Sequence, residues 1–306
     1  MMPLITTLGP KNLDELDIIL PHEHVFVDLR TWDLPGYARA KTEDVIALMQ
    51  PELEKAHKSG ISAIVECSPV GVGRRADILK SVSQASRFPL VVPTGIYREP
   101  WIPEWAHRSG EDDLFAWMKS ELEGQIESSG VQAGFIKLSA GDNGLTGCET
   151  KILKAAARAA TACGATIGSH TIKGSVVADQ LSILEAYSVP PERFIWIHAL
   201  LEPDFNLNLE MARRGIWIEY DSLGSGEAGD DLILGRIQKL WDAGFGDRIL
   251  LSHDRGWYDP AEPGGGTPKP FTFIPEIFIP RLQKAGFQKT DLRQMLTINP
   301  FRAFAR

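Results

Sequence analysis

Cysteine is scarce in this sequence, and long apolar runs are missing from it. The chain has three cysteines, Cys67, Cys148 and Cys163, and no two of them have C-x-x-C spacing. This odd number argues against a disulfide framework and predicts a protein of the reducing cytoplasm. No stretch approaches the roughly 18 apolar residues of a membrane span. Residues 1–12 lack the charged and apolar regions of a signal peptide, so we expect none.

Positive charge is also in short supply. Lys and Arg total 32 against 40 Asp and Glu, which gives a net charge of −8 at pH 7. Nucleic-acid binding depends on neutralising phosphates with basic side chains, so this balance argues against a nucleic-acid partner. No basic amphipathic stretch predicts attachment to a membrane surface. We therefore expect a small-molecule partner.

What the chain does have is a regular alternation of short apolar runs and longer helical patterns over 306 residues. Eight strand–helix units in about 260 residues predict a (β/α)8 barrel, and we expect a single domain over residues 1–306. The strands are predicted at 18–27, 62–69, 89–97, 133–140, 165–171, 193–200, 216–223 and 248–257. The helices are predicted at 42–59, 75–86, 111–129, 149–163, 175–188, 204–214, 229–243, 273–285 and 290–305. The segment 258–272 is rich in Gly and Pro and is long enough for a lid over the barrel mouth.

A pair of histidines lies in the first predicted strand. In "LPHEHVFVD", His22 and His24 are two residues apart, so alternation along a strand places both side chains on one face. Neutral imidazoles are common metal ligands, and two on the inner face of a barrel strand can bind one ion. An H-x-H pair alone is a weak signal, because buried histidines are often only hydrogen-bonded core residues.

Further polar residues lie near the carboxyl ends of later strands, where barrel enzymes build their sites. They are Lys137 in "GFIKLSA", His170 in "IGSHT", His198 in "ERFIWIHA" and Asp254 in "LLSHD". Four histidines, an aspartate and a lysine that converge on one mouth predict a metal centre. A protonated lysine repels cations, but carboxylation of the Lys137 amine gives a carbamate whose two oxygens can bridge two ions.

These motifs, in this order, resemble the phosphotriesterase-like group of the amidohydrolase superfamily, which includes phosphotriesterases and phosphotriesterase-like lactonases. The resemblance spans nearly the whole chain. Its further pieces are "LGPKNLDELDIILPHEHVFVD", "GISAIVECSP", "VGVGRRAD", "PTGIY" and the terminal "NPFRAF".

The resemblance implies a binuclear metal site at the carboxyl ends of the strands. His22, His24 and Asp254 would hold the buried ion, His170 and His198 the exposed one, and carboxylated Lys137 and a hydroxide would bridge them. The ions are expected to be zinc, with manganese, iron or cobalt as alternatives, because these donors suit all four. Asp254 is expected to move the proton during attack on substrate. The resemblance also implies a homodimer.

The substrate is less well specified. The resemblance to lactonases favours a lactone or other carboxylic ester, with phosphotriester hydrolysis as a side activity. An organophosphate or amide hydrolase is the alternative, and a catalytically silent binding protein is a third possibility. Tyr97, Trp101 and Trp257 are expected to contact the substrate.

The sequence leaves the roles of two sets of charged residues undecided. Arg74 and Arg75 either bind an anionic substrate group or form a solvated helix start. Glu219 and Asp221, near the end of the seventh strand, could make the mouth more acidic. Ser222 stands where the lactonases usually carry Arg, so their substrate preference does not transfer directly.

Overall fold

The computed structural model describes residues 2–306. A hairpin of β1 (Leu4–Thr6) and β2 (Gly9–Lys11) precedes the main body of the fold. The strands that follow are β3 (Ile18–Phe26), β4 (Ile61–Glu66), β5 (Leu90–Val91), β6 (Pro93–Thr94), β7 (Phe135–Ser139), β8 (Ile167–His170), β9 (Phe194–Ile197), β10 (Trp217–Tyr220), β11 (Ile249–Leu251) and β12 (Gly256–Tyr258).

The helices lie between these strands in the order that a barrel requires. They are α1 (Thr42–Lys58), α2 (Ala76–Ser86), α3 (Glu104–Arg108), α4 (Glu111–Glu123), α5 (Gly147–Cys163), α6 (Gly174–Ala186), α7 (Phe205–Arg213), α8 (Glu227–Asp242), α9 (Ile279–Lys284), α10 (Lys289–Arg293) and α11 (Asn299–Phe304).

The strands form one parallel barrel. Six of them pair in the order β11-β10-β9-β8-β7-β6, and β12-β3-β4-β5 pair in a second series. The two series join through β5 and β6, which are separated only by Val92 and act as one barrel strand. The ring closes between β11 and β3, where the Asp254 N–H donates to the His22 carbonyl at 3.2 Å. The predicted (β/α)8 fold is therefore confirmed.

Helix α5 shows how local sequence defines the elements around the barrel. Thr146 precedes the helix, and its hydroxyl accepts from the Glu149 N–H at 3.1 Å, while the Glu149 carboxylate accepts from the Thr146 N–H at 2.8 Å. This reciprocal capping box satisfies two backbone donors at the helix start. Gly164 ends the helix in the left-handed region, at φ 65°. The alanine-rich face between these caps is buried against the barrel.

Several predicted elements are shorter or more divided in the structure than in the prediction. The strand predicted at 248–257 is two short strands, because the chain turns at Asp254, whose φ is 57°. The helix predicted at 111–129 ends at Glu123. The predicted lid at 258–272 is partly ordered by the backbone pairing of Gly256 with Lys269 and by a single helical turn at Pro263–Gly265.

Candidate metal centre

Strand β3 carries two histidines on one face and a glutamate on the opposite face. His22 and His24 face the barrel interior, and Glu23 between them faces the neighbouring strand ends. Glu23 is fully buried, and its carboxylate accepts from the N–H groups of His253 and Arg255 at 3.0 and 2.8 Å. It also contacts the His253 imidazole at 2.7 Å. Glu23 thereby fixes β3 against the turn that carries Asp254.

Each histidine of β3 has one ring nitrogen engaged by a neighbour. Nδ1 of His22 lies 2.8 Å from the Glu219 carboxylate and 3.5 Å from Asp221. Nδ1 of His24 lies 2.8 Å from the Ser68 hydroxyl. Both imidazoles are therefore fixed in orientation, and the Nε2 atoms point to the barrel axis, where Asp254 lies. Partners of this kind orient ligand histidines in metal sites.

Asp254 approaches the same point from the other end of the chain. Its Oδ1 lies 3.0 Å from Nε2 of His24 and 3.7 Å from Nε2 of His22. These three ligand atoms all lie within 4.8 Å of one another. Oδ1 of Asp254 is buried, and its approach to His24 does not have the geometry of a hydrogen bond. A buried carboxylate oxygen without a partner is costly unless a cation or a proton satisfies it, and a divalent ion held by two imidazoles fits this position.

Lys137, His170 and His198 complete the group. Lys137 is in β7 and 1% exposed, His170 ends β8, and His198 follows β9 with φ 64°. The rings of His170 and His198 are 4.2 Å apart between centroids, and that of His198 is 5.1 Å from His22. Nδ1 of His198 is bound by the Asp221 carboxylate at 2.7 Å. The structure thus brings together all six residues that the sequence predicts as ligands.

These six residues line a cavity of about 140 Å³ at the carboxyl ends of the strands. Tyr97 and Trp257 line it as well, and the Tyr97 hydroxyl lies 3.0 Å from Nδ1 of His170. Trp101 is not among the lining residues: its ring packs on Tyr97, and its indole N–H donates to the Leu29 carbonyl at 2.7 Å. Trp101 therefore supports the cavity wall from behind.

The environment moves the pKa values of these groups in different directions. Burial alone would lower the pKa of His22, but the hydrogen bonds to Asp221 and Glu219 outweigh it and raise the pKa to about 10. Burial lowers the pKa of Lys137. Burial also holds the pKa of His170 well below its usual range, and electrostatic interaction with His198 and Lys137 lowers it further. The neutral His170 imidazole is ready to bind a metal ion.

The role of two arginines left open by the sequence is now clear. Arg74 is buried and pairs with Glu121 through two contacts of 2.6 and 2.9 Å. Arg75 pairs with Asp77 at 2.7 Å. Both guanidinium groups are engaged and neither lines the cavity, which argues against a substrate role, and Arg74 is buried rather than part of a solvated helix start. Both residues belong to the structural framework.

Glu219 and Asp221 have a different role from the one that the sequence suggested. Both are fully buried, and they orient His22 and His198 rather than make the mouth acidic. Their spacing in "WIEYD" contained the signal, because residues two apart in a strand share a face. An inward-facing pair of carboxylates next to the strand that precedes His198, and one strand removed from His22 on β3, indicates partners for those histidines.

Barrels of this kind carry their active sites at the carboxyl ends of the strands. Imidazole and carboxylate donors suit divalent ions that activate water for attack on an ester or amide. The fold and the arrangement at its mouth define the protein as a metal-dependent hydrolase.

Comparison with known proteins makes the assignment more specific. The model of the phosphotriesterase family matches residues 2–304, and the chain belongs to that family. It is 28% identical over 264 residues to the N-acetyltaurine hydrolase of Dictyostelium discoideum, covering 82% of this chain and 71% of that protein. It is 25% identical over 327 residues to the aryldialkylphosphatase of Saccharolobus solfataricus, covering 98% and 99%.

A solved structure agrees with these relatives. It comes from work on engineering organophosphate hydrolysis from a weak promiscuous lactonase template. The two chains superpose with a TM-score of 0.87 at 27% identity, and the match covers 100% of both. Within residues 2–306, no helix has both the length and the apolar character that crossing a membrane requires.

Proposed function

We propose that the protein is a binuclear metal-dependent hydrolase of lactones or other small carboxylic esters. His22, His24 and Asp254 would hold one divalent ion, His170 and His198 the second, and carboxylated Lys137 would bridge them. The observation that supports this most strongly is the convergence of these six side chains on one cavity, with Oδ1 of Asp254 left without a hydrogen bond. The proposal takes residues 1–306 as one hydrolase domain.

The residues have separate tasks in this proposal. A pair of bound divalent ions, most simply zinc, supplies an activated water and polarises the scissile carbonyl oxygen. Asp254 accepts the proton of the attacking water and returns it to the leaving oxygen. Burial lowers the pKa of the Lys137 amine, which favours the neutral form that adds carbon dioxide to give a carbamate and releases one proton. Glu219 and Asp221 keep His22 and His198 in the orientation that binding requires.

The cavity favours an ester of carbon over a phosphotriester. About 140 Å³ is small compared with the roughly 300–1,000 Å³ of sites for drug-sized ligands. Val27, Leu29 and Val72 are apolar residues of its lining. A lactone or ester carbonyl carries one acyl arm into this space, whereas a phosphotriester must place three ester arms around phosphorus. We assign Tyr97 and Trp257 to substrate contact because both line the cavity.

The cavity also favours a neutral substrate. In the described part of the chain, no arginine lines it, and Lys137 is the single lysine that does. Once Lys137 is carboxylated, no cationic side chain remains there to pair with a carboxylate or sulfonate. N-acetyltaurine carries a sulfonate, so the activity named for the Dictyostelium relative fits this cavity less well than a neutral ester. Amide hydrolysis and organophosphate hydrolysis are the second candidates, since relatives bear those names.

The test is proton release by the purified, metal-loaded protein on a panel of substrates. The panel contains neutral lactones of several ring and chain sizes, an aryl phosphotriester and N-acetyltaurine. We expect turnover of small neutral lactones, and loss of that turnover in Asp254→Ala. Turnover of the phosphotriester or of N-acetyltaurine alone would replace the carboxylic ester with that substrate class. Silence across the panel with two ions bound per chain would support a binding protein on the same barrel.

A further inference from the structure

Three side chains with different metal-binding atoms meet at the surface, outside the cavity. They are Glu99 in the segment after β6, His107 in α3 and Cys148 at the start of α5. One ligand atom from each residue lies within 4.8 Å of the other two. We propose that Glu99, His107 and Cys148 form a separate mononuclear site for a divalent transition-metal ion of the zinc type.

The chemistry of the three donors suits such an ion. Carboxylate oxygen, imidazole nitrogen and thiolate sulfur are the donors that zinc takes in tetrahedral sites, at about 2.0–2.3 Å. Two donors at about 2.1 Å from a tetrahedral ion are roughly 3.4 Å apart, and Nε2 of His107 lies 3.3 Å from Oε1 of Glu99. Sγ of Cys148 lies within 4.8 Å of both atoms.

Solvent reaches the site, so an ion can enter and water can take the fourth position. The side chains of His107 and Glu99 are 43% and 34% exposed, and Cys148 is half-buried. Without an ion, an exposed histidine–glutamate pair of this kind contributes only about 0–1 kcal/mol. An ion pair between His107 and Glu99 also does not explain why the Cys148 thiol lies next to them.

The backbone under these side chains is already fixed. The Lys151 ammonium holds the end of α3 by donating to three carbonyl oxygens at 2.7–3.0 Å, those of Ala106, His107 and Ser109. The Glu99 N–H donates to the Glu149 carboxylate at 3.1 Å, and Glu149 belongs to the capping box of α5. Cys148 is the residue before Glu149. An ion would therefore bind without ordering a flexible segment, which lowers the entropic cost of binding.

The local charge also permits a cation. Lys151 is positive, but the carboxylates of Glu99 and Glu149 both act on Cys148 and offset it. An ion bound here would join the segment that begins at Tyr97 to α3 and α5. Because the Tyr97 hydroxyl contacts His170, this surface site would stabilise one wall of the cavity without contributing a ligand to it.

Cobalt(II) titration of the metal-free full chain tests the proposal without any measurement of activity. Cobalt bound to a thiolate gives a near-ultraviolet charge-transfer band, whereas imidazole, carboxylate and carbamate ligands give none. We expect the wild-type protein to bind three equivalents and to show this band. Cys148→Ser and His107→Ala should each lose the band and one equivalent, and should keep the other two ions.

Two cysteine variants serve as controls. Cys163 lies on the same helix as Cys148, and its thiol is similarly half-buried, 3.9 Å from Glu123. The Cys163→Ser variant should therefore keep the band. Cys67→Ser should also keep it, although Cys67 lines the main cavity. A band that disappears in Cys67→Ser and persists in Cys148→Ser would overturn the proposal. So would a wild-type protein that shows no thiolate band at saturating cobalt.

Discussion

Three of the four histidines at the barrel mouth are held in two different ways. On one side, strand β10 supplies two buried carboxylates, Glu219 and Asp221, which fix His22 and His198 at 2.8 and 2.7 Å. On the other side, His170 has only the Tyr97 phenol, at 3.0 Å, and Tyr97 lies in a segment that leads into the surface loop. Charged partners hold a ring more strongly than neutral ones. The edge of the site near Tyr97 is therefore the more adaptable one.

Because of this difference, we expect the residues that orient the proposed metal ligands to be distinct from those that shape the cavity for substrate. In the proposed centre, the histidines backed by β10 can change little without loss of the ions, because the carboxylates that orient them are fully buried. The Tyr97 side rests on Trp101, which is bound to the backbone of Leu29. Changes in that loop can reshape the cavity and leave most of the ligand set intact.

Removal of the Lys137 side chain, which is proposed to bridge both ions, should have the largest effect on activity. In Lys137→Ala, we expect turnover to fall by about 10³-fold or more, because two-ion activation contributes several kcal/mol and each 1.36 kcal/mol is tenfold in rate. Metal content per chain should fall in parallel, as measured by elemental analysis. Lys284→Ala, at an exposed position of α9, is the matched control. Full activity with two ions bound in Lys137→Ala would contradict the assignment of Lys137.

A neutral residue at position 221 should have the next largest effect. Asp221→Asn keeps the shape of the side chain and removes the charge that faces His198 and His22, so we expect metal affinity to fall by about 10–100-fold. Competition with a chelator of known affinity measures this. Ser222→Ala is the control, since the Ser222 hydroxyl lies 3.5 Å from Asp221. If both variants bind metal as tightly as the wild type, β10 has no special role.

Loss of the Tyr97 hydroxyl should have the smallest effect of the three. Tyr97→Phe removes one neutral hydrogen bond worth about 1 kcal/mol, or about fivefold in affinity. We expect the second ion to bind more weakly and the first to be unchanged, which a two-step calorimetric titration resolves. Tyr258→Phe, whose ring stacks on Phe26, should bind both ions normally. Equal weakening of both ions in Tyr97→Phe would remove the distinction between the two sides.

The sequence predicted the barrel and the positions of six site residues because both depend on local patterns. Apolar runs mark buried strands, and polar residues at the ends of such strands share one mouth whatever the exact packing. Contacts between distant residues are a different matter. Arg74 meets Glu121, 47 positions away, and no local pattern indicates that pairing.

Trp101 illustrates the same limit. Its place in the loop after the third barrel strand predicts a substrate contact, which stays a prediction, but the direction of its ring depends on the backbone of Leu29, 72 positions away. The turn at Asp254 was also missed, since the apolar run before it continues the strand pattern without any glycine or proline at that position.

Glu23 has a consequence for how the protein matures. It ties β3, near the start of the chain, to residues as far as 232 positions away. During synthesis, His22 and His24 are therefore made long before Asp254. The proposed site cannot form until the strand that precedes Asp254 has also been made. Metal binding at the proposed centre must therefore follow the synthesis of β11 and the closure of the ring.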